Sequence, residues 1–402
     1  MKVLLFTSDV EGPGFGYDVK YAQSILKTKM DVFVFHFGKR NDPKNKIYNL
    51  NKYRLIWSYK KFKNIYNLNK IDISHVRGLM SSHHLIWFIY LILLKAKYII
   101  SPYSQLTKYN LKNKLFKKNP DFKNTSNKKN YIIFPKFFLV YYYKLIPLLK
   151  FLYLNFLGKL FIKKSNGIVF FSDYEKKNFI KHIKYRKYTK IIIEPMLKSK
   201  IRSKKIKKKD SFFYNKKNIN IIYWGRLDFY LKGLDRLILL AKKIVKIDKN
   251  NNIKFHLMGP DYDNGIEKIL YNIKKFNLSD KIVLHPEVIW KGKISPLIKA
   301  DYSILLSKWD GQPRSLRESI FYNVPIIASE ETHFADIIKK NNCGYLFSSN
   351  ALKNKKFFQK LISDKKNLLK KNKQGCFVAK KSMTQSYYVN SINNFYKSLL
   401  QR

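Results

Sequence analysis

Short apolar runs that end in a turn and lead into segments of helical period recur along the whole of this chain, and that alternation leaves few folds open. The run at 2–7 (KVLLFT) is followed by the turn Gly12-Pro13-Gly14-Phe15-Gly16, a helical stretch over 17–27 and a second run at 32–37 (VFVFHF). Strand, glycine turn, helix, strand is a βαβ unit, whose right-handed crossover commits both strands to a parallel sheet covered by helices. Runs at 71–76, 98–100 and 167–171 extend that sheet, with His75 expected in a strand-end turn. A second series opens at 219–224. Its first helix keeps Leu234, Leu237, Ile238, Ala241, Ile244 and Val245 at helical spacing. Strands at 255–258, 282–284, 302–306 and 325–328 then alternate with helices near 266–276, 316–322 and 334–339.

The length agrees, because 402 residues with 46% hydrophobic content make two α/β domains of ordinary size. The expected boundaries are a first Rossmann-like domain over 1–197, a basic linker over 198–217, a second Rossmann-like domain over 218–385, and a C-terminal helix over 386–402 packing back on the first domain. The linker (KSKIRSKKIKKKDSFFYNKK) is polar and basic, with almost no apolar periodicity before Phe212.

Charge narrows the class of partner. Lys and Arg number 81 against 26 Asp and Glu, a formal +55, which favours anionic partners such as nucleic acid, anionic lipid or phosphorylated substrates. Lys, Asn, Ile, Tyr and Phe are also the residues of A/T-rich codons, so genome composition accounts for part of the excess. Cys343 and Cys376 are the only cysteines and form neither a CxxC nor a zinc pattern, so a reducing cytoplasm is expected. The first residues are too briefly apolar for a secretory signal. The run at 85–94 is about half of the ~20 residues a spanning helix needs and reads as a buried helix. Residues 131–164 are rich in Phe, Tyr and Leu with recurrent Lys. They fit an interfacial segment or a pair of core helices with snorkelling lysines.

Ligands of open parallel sheets bind beyond the carboxyl ends of the strands, where helix N-termini present backbone N–H groups. After the strand at 219–224, Arg226 and Lys232 lie in a loop bounded by Gly225 and Gly233, a pair suited to clamping a diphosphate. After the strand at 302–306, Asp310 and Glu318 flank the turn Gly311-Gln312-Pro313 and a helix start near 314–315. That turn is expected to bring Asp310 beside the helix amides, while Glu318 accepts from vicinal hydroxyls such as those of a ribose.

The stretch 219–347 resembles the donor domain of retaining GT-B glycosyltransferases of the large family 4. WGRLDFYLKGLDRLI, FHLMGPD, IVLHPEV and the pair DGQPRSLRE with NVPIIAS match the family's motifs in order and at suitable spacing. The resemblance implies two Rossmann-like domains facing an interdomain cleft, with the acceptor bound by the first and the nucleotide-sugar donor by the second. Arg226 and Lys232 would hold the donor diphosphate, Glu318 the ribose, and Asp310, where the family more often has Glu, the transferred sugar. Arg226, Lys232 and Asp310 are thus the expected catalytic residues. Gly259 and Gly311 would line the donor site, and the backbone at Glu287 and Val288 would border the base. In the first half, Gly14 and Gly16 would approach the donor phosphate. SPYSQL, with Tyr103 where relatives carry His or Arg, is similar to a sugar-contacting segment, and Ser172 would end a strand closing the first domain.

The implied activity is retaining transfer of a sugar to a saccharide or lipid-linked saccharide, in bacterial surface polysaccharide or lipopolysaccharide synthesis on the cytoplasmic face of an anionic inner membrane. The basic pair replaces a metal, so no cofactor is expected. Asp261-Tyr262-Asp263 reads as a polar loop rather than a metal motif, and the scattered histidines support no metal cluster. The alternatives are an RNA-binding protein, for which no recognition signature for a specific nucleic acid is present, and a GT-B phosphorylase or epimerase.

Overall fold

Among the described residues seven parallel strands form the first of two large sheets. The computed structural model describes residues 1–6, 23–37, 41–50, 55–79, 82–102, 152, 154–183, 189–194, 196, 215, 217–250, 252–285 and 295–401. The first unit comprises residues 1–170, 175–193 and 392–402, and the second residues 171–174 and 194–391.

In the first unit, β1 (Lys2–Phe6), β2 (Asp31–His36), β3 (Ile47–Asn49), β4 (Ile73–Arg77), β5 (Tyr98–Ser101), β6 (Gly167–Phe170) and β7 (Lys190–Ile193) lie in the order β3-β2-β1-β4-β5-β6-β7. Every residue of β4, β5 and β6 is buried, as a parallel sheet covered on both faces requires. Helices α1 (Leu55–Leu68) and α2 (Ser82–Leu93) contribute Phe62 and Trp87 to an aromatic core in which Trp87 packs 4.6 Å from Phe6. A helix lying on a sheet buries only one side of its circumference. Trp87, Phe88 and Leu91 of α2 are accordingly buried while Ile89 and Leu93 are exposed, so the helix is amphipathic rather than wholly buried.

His75 occupies the middle of β4, not a strand-end turn. Its ring nitrogens meet Tyr396 Oη at 2.7 Å and Ser101 Oγ at 2.6 Å, which satisfies a buried polar ring. Of the aromatic-rich segment, α3 (Lys159–Lys164) buries Phe161 and Ile162 and stacks Phe161 on Phe88 at 4.6 Å, whereas Phe156, Leu157 and Leu160 are exposed. Residues 131–151 and 153 lie outside the described residues. β6 ends at Phe170, so Ser172 stands two residues past the strand, followed by α4 (Asp173–His182). Among the described residues no helix is long and apolar enough to cross a membrane.

The second unit holds β8 (Ile219–Trp224), β9 (Leu227–Asp228), β10 (Ile253–Met258), β11 (Asp261–Tyr262), β12 (Ile282–His285), β13 (Tyr302–Leu305), β14 (Ile326–Ala328) and β15 (Gly344–Leu346). Six of these form a parallel sheet in the order β12-β10-β8-β13-β14-β15, and β9 pairs with β11. The helices are α5 (Leu234–Val245), α6 (Gly265–Lys275), α7 (Ser295–Lys299), α8 (Arg314–Phe321), α9 (Ala335–Asn341), α10 (Ala351–Ser363), α11 (Lys365–Ala379) and α12 (Gln385–Leu400), the last ending in the first unit. α5 buries every position its apolar spacing marked as inward except Val245, which is exposed. From β8 the chain winds outward through β10 and β12, then returns to β13 on the other side of β8. Loops leaving β8 and β13 therefore lie at the carboxyl edge of the sheet where the winding reverses, its topological switch point.

These two sheets with their helices are two Rossmann-like doubly wound units, the α/β class expected from the sequence.

Candidate functional site

The loops after β8 and β13 meet at this switch point. Lys232, from the first, and Asp310, from the second, form an ion pair with side chains only 21% and 15% exposed. Beneath it the two backbones are tied together: Lys308 N–H donates to the Leu231 carbonyl at 3.0 Å, and Ser307 Oγ donates to the same oxygen at 2.8 Å. Gly233 has φ +71°, and a Cβ there would lie 1.9 Å from the Leu306 carbonyl oxygen, so only glycine fits. The loop after β14 joins them. Asp310 N–H donates to the Glu331 carbonyl at 3.1 Å, and Arg236 spans Glu331 Oε1 at 3.0 Å and the Leu306 carbonyl at 3.3 Å.

Arg226 stands at the other end of the β8 loop. Its Nη2 lies 3.5 Å from Asp228, its guanidinium carbon lies 4.0 Å from the Tyr262 ring centre, and its Nε has no acceptor. Tyr223, buried under the loop, donates its hydroxyl to the Arg226 carbonyl at 2.6 Å. Burial, then the negative charges of Asp310 and Asp228, hold that phenol's pKa well above its ordinary value, with Arg226 opposing. One buried ring thus feels all three charged groups. Gly259 fills a backbone need, since at φ +151° a Cβ would lie 1.8 Å from the Gly225 carbonyl oxygen.

Past Asp310, Gly311 and Gln312 turn the chain, Gln312 at φ +55°, and α8 starts at Arg314 with Pro313 as an N-cap that offers no capping side chain. The carboxylate of Asp310 goes to Lys232 rather than to the amides that open α8, contrary to expectation: a nearby ammonium attracts a carboxylate more strongly than a neutral amide does. Glu318 lies half-buried one turn into the helix. Burial, and then the charge of Glu318, raise the pKa of Tyr322 four residues on. Gly14, Gly16, Tyr103, Glu287 and Val288 lie outside the described residues.

Tyr262 belongs to β11, not to a polar loop, and Asp261 on its N-terminal side accepts from the N–H groups of Tyr262 and Ile266 at 2.8 and 2.9 Å. Asp263 lies 3.4 Å from Lys268. The carboxylates of this Asp-Tyr-Asp sequence are engaged locally, and among the described residues no group of three or more His, Cys, Asp or Glu is placed to hold a metal ion. Sequence reasoning passed over Arg236, Glu331 and His333. Arg236 carried a signal, since it stands four residues after Lys232 on a predicted helix. His333 carried none: its Nδ1 meets Ser172 Oγ at 2.7 Å, and it is wedged against Phe171 and Tyr174.

Residues 203–375 match the family model described as "Glycosyl transferases group 1". This part of the chain belongs to that group. The chain is therefore a glycosyltransferase, and the loops bearing Arg226, Lys232 and Asp310 and the helix bearing Glu318 lie inside the matched region. It is similar to a glycosyltransferase from Rickettsia africae at 15% identity and TM-score 0.66, covering 100% of this chain and 99% of that one. It is similar also to HepE from Anabaena, solved in complex with UDP, at 10% identity and TM-score 0.67, covering 99% and 100%. WaaG, a glycosyltransferase involved in lipopolysaccharide biosynthesis, is similar at 13% identity and TM-score 0.61, covering 98% and 99%. At such identities the likeness establishes the fold, which is GT-B. No curated protein matches the sequence.

Proposed function

We propose that this glycosyltransferase moves a sugar, with retention of configuration, from a nucleoside-diphosphate sugar to a saccharide or lipid-linked saccharide. One observation carries the reading: Lys232 and Asp310, from different loops, meet at the switch point of the second sheet with Arg226 alongside. Arg226 and Lys232 grip the diphosphate, Asp310 contacts the sugar and Glu318 the ribose. As the bond from the anomeric carbon to the diphosphate breaks, negative charge grows on the leaving oxygens, and preplaced cations stabilise it without solvent reorganisation. The acceptor oxygen bonds to the same carbon, and its proton passes to the departing diphosphate. Two cations in place of a metal make a divalent ion unnecessary.

HepE is solved with UDP and WaaG acts in lipopolysaccharide biosynthesis, so UDP-sugars are the first donors to test and a surface glycan the first product class. A lipid-linked acceptor puts the enzyme at the cytoplasmic face of an anionic membrane, with residues 1–197 serving the acceptor. Screening donor hydrolysis and transfer across UDP-, GDP- and ADP-sugars tests the reading. Arg226→Ala should lower turnover about 100- to 1000-fold with thermal stability retained, and Lys232→Ala should lower it as much while also losing the stability of its ion pair with Asp310. Near-normal turnover in both variants, or RNA binding without any donor cleavage, overturns it.

A further inference from the structure

We infer that the exposed face of α11 docks on a membrane surface of anionic phospholipid. A groove of about 780 Å³ runs along this helix in the second unit, lined by Leu369, Phe377, Lys366, Lys370 and Lys373 beside Asn323. Residues 366, 370, 373 and 377 fall at i, i+4, i+7 and i+11, one stripe about 16 Å long. The other side of α11 is committed to the core through Asn372, Gly375, Cys376 and Ala379.

Exposed lysine alone signifies little in a chain with 81 Lys and Arg. What sets this stripe apart is the groove it lines and the exposed aromatic ring at its end. Lys232, Lys281 and Lys308 each face an aspartate, and Lys365, at the edge of the groove, is 3.0 Å from Asp301. Among the described residues Lys366, Lys370 and Lys373 have no acidic partner, and no acidic residue lines the groove. The lining is lysine without arginine. Arginine's planar fork suits one phosphate held at two points, whereas separated ammonium groups suit a diffuse sheet of negative charge. That contrast favours headgroups over a single bound phosphate.

The end of the stripe has the character of an interface. Phe377 and Val378 are 46% and 44% exposed, and the ammonium nitrogens of Lys380 and Lys381 lie 5.0 and 5.5 Å from the Phe377 ring centre. An apolar tip ringed by cations enters the boundary between headgroups and acyl chains while its charges remain on phosphate. The inference deepens the membrane reading above and needs nothing from the donor site.

The test is co-sedimentation of the full chain with vesicles of phosphatidylcholine, alone or mixed with phosphatidylglycerol, at low and high salt. The parent chain should bind only the mixed vesicles and release in salt. Lys366→Gln, Lys370→Gln and Lys373→Gln together should weaken binding about a hundredfold, from about fivefold per lysine. The charge-matched triple Lys353→Gln, Lys355→Gln and Lys356→Gln on α10 should change it little. Because both native cysteines are buried, Phe377→Cys can carry an environment-sensitive fluorophore, which should shift to the blue on mixed vesicles. Equal loss in the two triples, no shift at position 377, or displacement of the probe by inorganic phosphate without vesicle binding overturns the inference. Donor hydrolysis with soluble substrates should be unchanged in the α11 triple, which keeps this outcome separate from the fate of the glycosyltransferase reading.

Discussion

The guanidinium carbon of Arg226 lies 4.0 Å from the centre of the Tyr262 ring, a contact created where β9 pairs with β11. A planar cation stacked on an aromatic face has lost side-chain freedom before any ligand arrives, and its remaining donors stay available. An exposed stack of this kind contributes about 0.5–1 kcal/mol. Tyr262→Ala should weaken binding of the nucleotide-sugar donor about two- to fivefold in calorimetry, while Tyr262→Phe, which keeps the ring, should match the parent. Equal affinities for the two variants would remove Tyr262 from any part in holding Arg226.

Lys232 and Asp310 stabilise the unit as well as joining the loops after β8 and β13. Both side chains are mostly buried, so removing one leaves the other charge short of a partner. In a double-mutant cycle of Lys232→Ala and Asp310→Ala read by urea unfolding, the double variant should be more stable than the sum of the singles predicts, by about 0.5–3 kcal/mol. Strict additivity would mean that the pair contributes nothing to folding.

Much of this was legible because burial on both faces leaves a nearly continuous apolar run in the sequence, as in β8, where all six residues are buried and only Asn220 is polar. The loops bearing Arg226, Lys232 and Asp310 were legible for a related reason: their motifs sit directly after such runs. β3, β7 and β15 are three or four residues long and partly exposed, so no run longer than the three isoleucines at 191–193 in β7 marks them. α10 and α11 carry lysine over much of their outer surface and each buries an asparagine, Asn354 and Asn372, on the inner side, which dilutes their apolar stripe. Contacts across long sequence separations leave no local trace at all. Arg236 and Glu331, or Ser172 and His333, meet only once the parallel sheet has formed.

Glycines 225 and 233 bound the same loop but face opposite demands. A Cβ at Gly225 would come no closer than 3.6 Å to Tyr223 Oη, whereas one at Gly233 would collide with the Leu306 backbone at 1.9 Å from a positive-φ position. Gly225→Ala should keep stability within about 1 kcal/mol, and Gly233→Ala should cost more than about 2 kcal/mol and lower the thermal midpoint by several degrees. If both substitutions are equally tolerated, the interlock between the two loops is not what positions Lys232.

Two buried histidines set the acid limit of the second unit. Burial pushes His333 down to about 3, and burial together with the positive neighbours His285 and Lys254 pushes His256 down to about 4, from an unfolded value of 6.5. Between those values the unfolded chain binds protons that the folded chain refuses, so stability falls as the pH drops and is fully present only above the unfolded value. The loss should begin near pH 6.5, continue to about 4 for His256 and about 3 for His333, and reach about 1.4 kcal/mol per pH unit for each histidine at most. Urea midpoints measured across this range should show a steep decline in the parent chain. In His333→Asn the slope should shrink by about one proton's worth, because asparagine takes up no proton in either state. An unchanged slope would mean that His333 already titrates in the folded protein and that its contact with Ser172 does not keep it neutral.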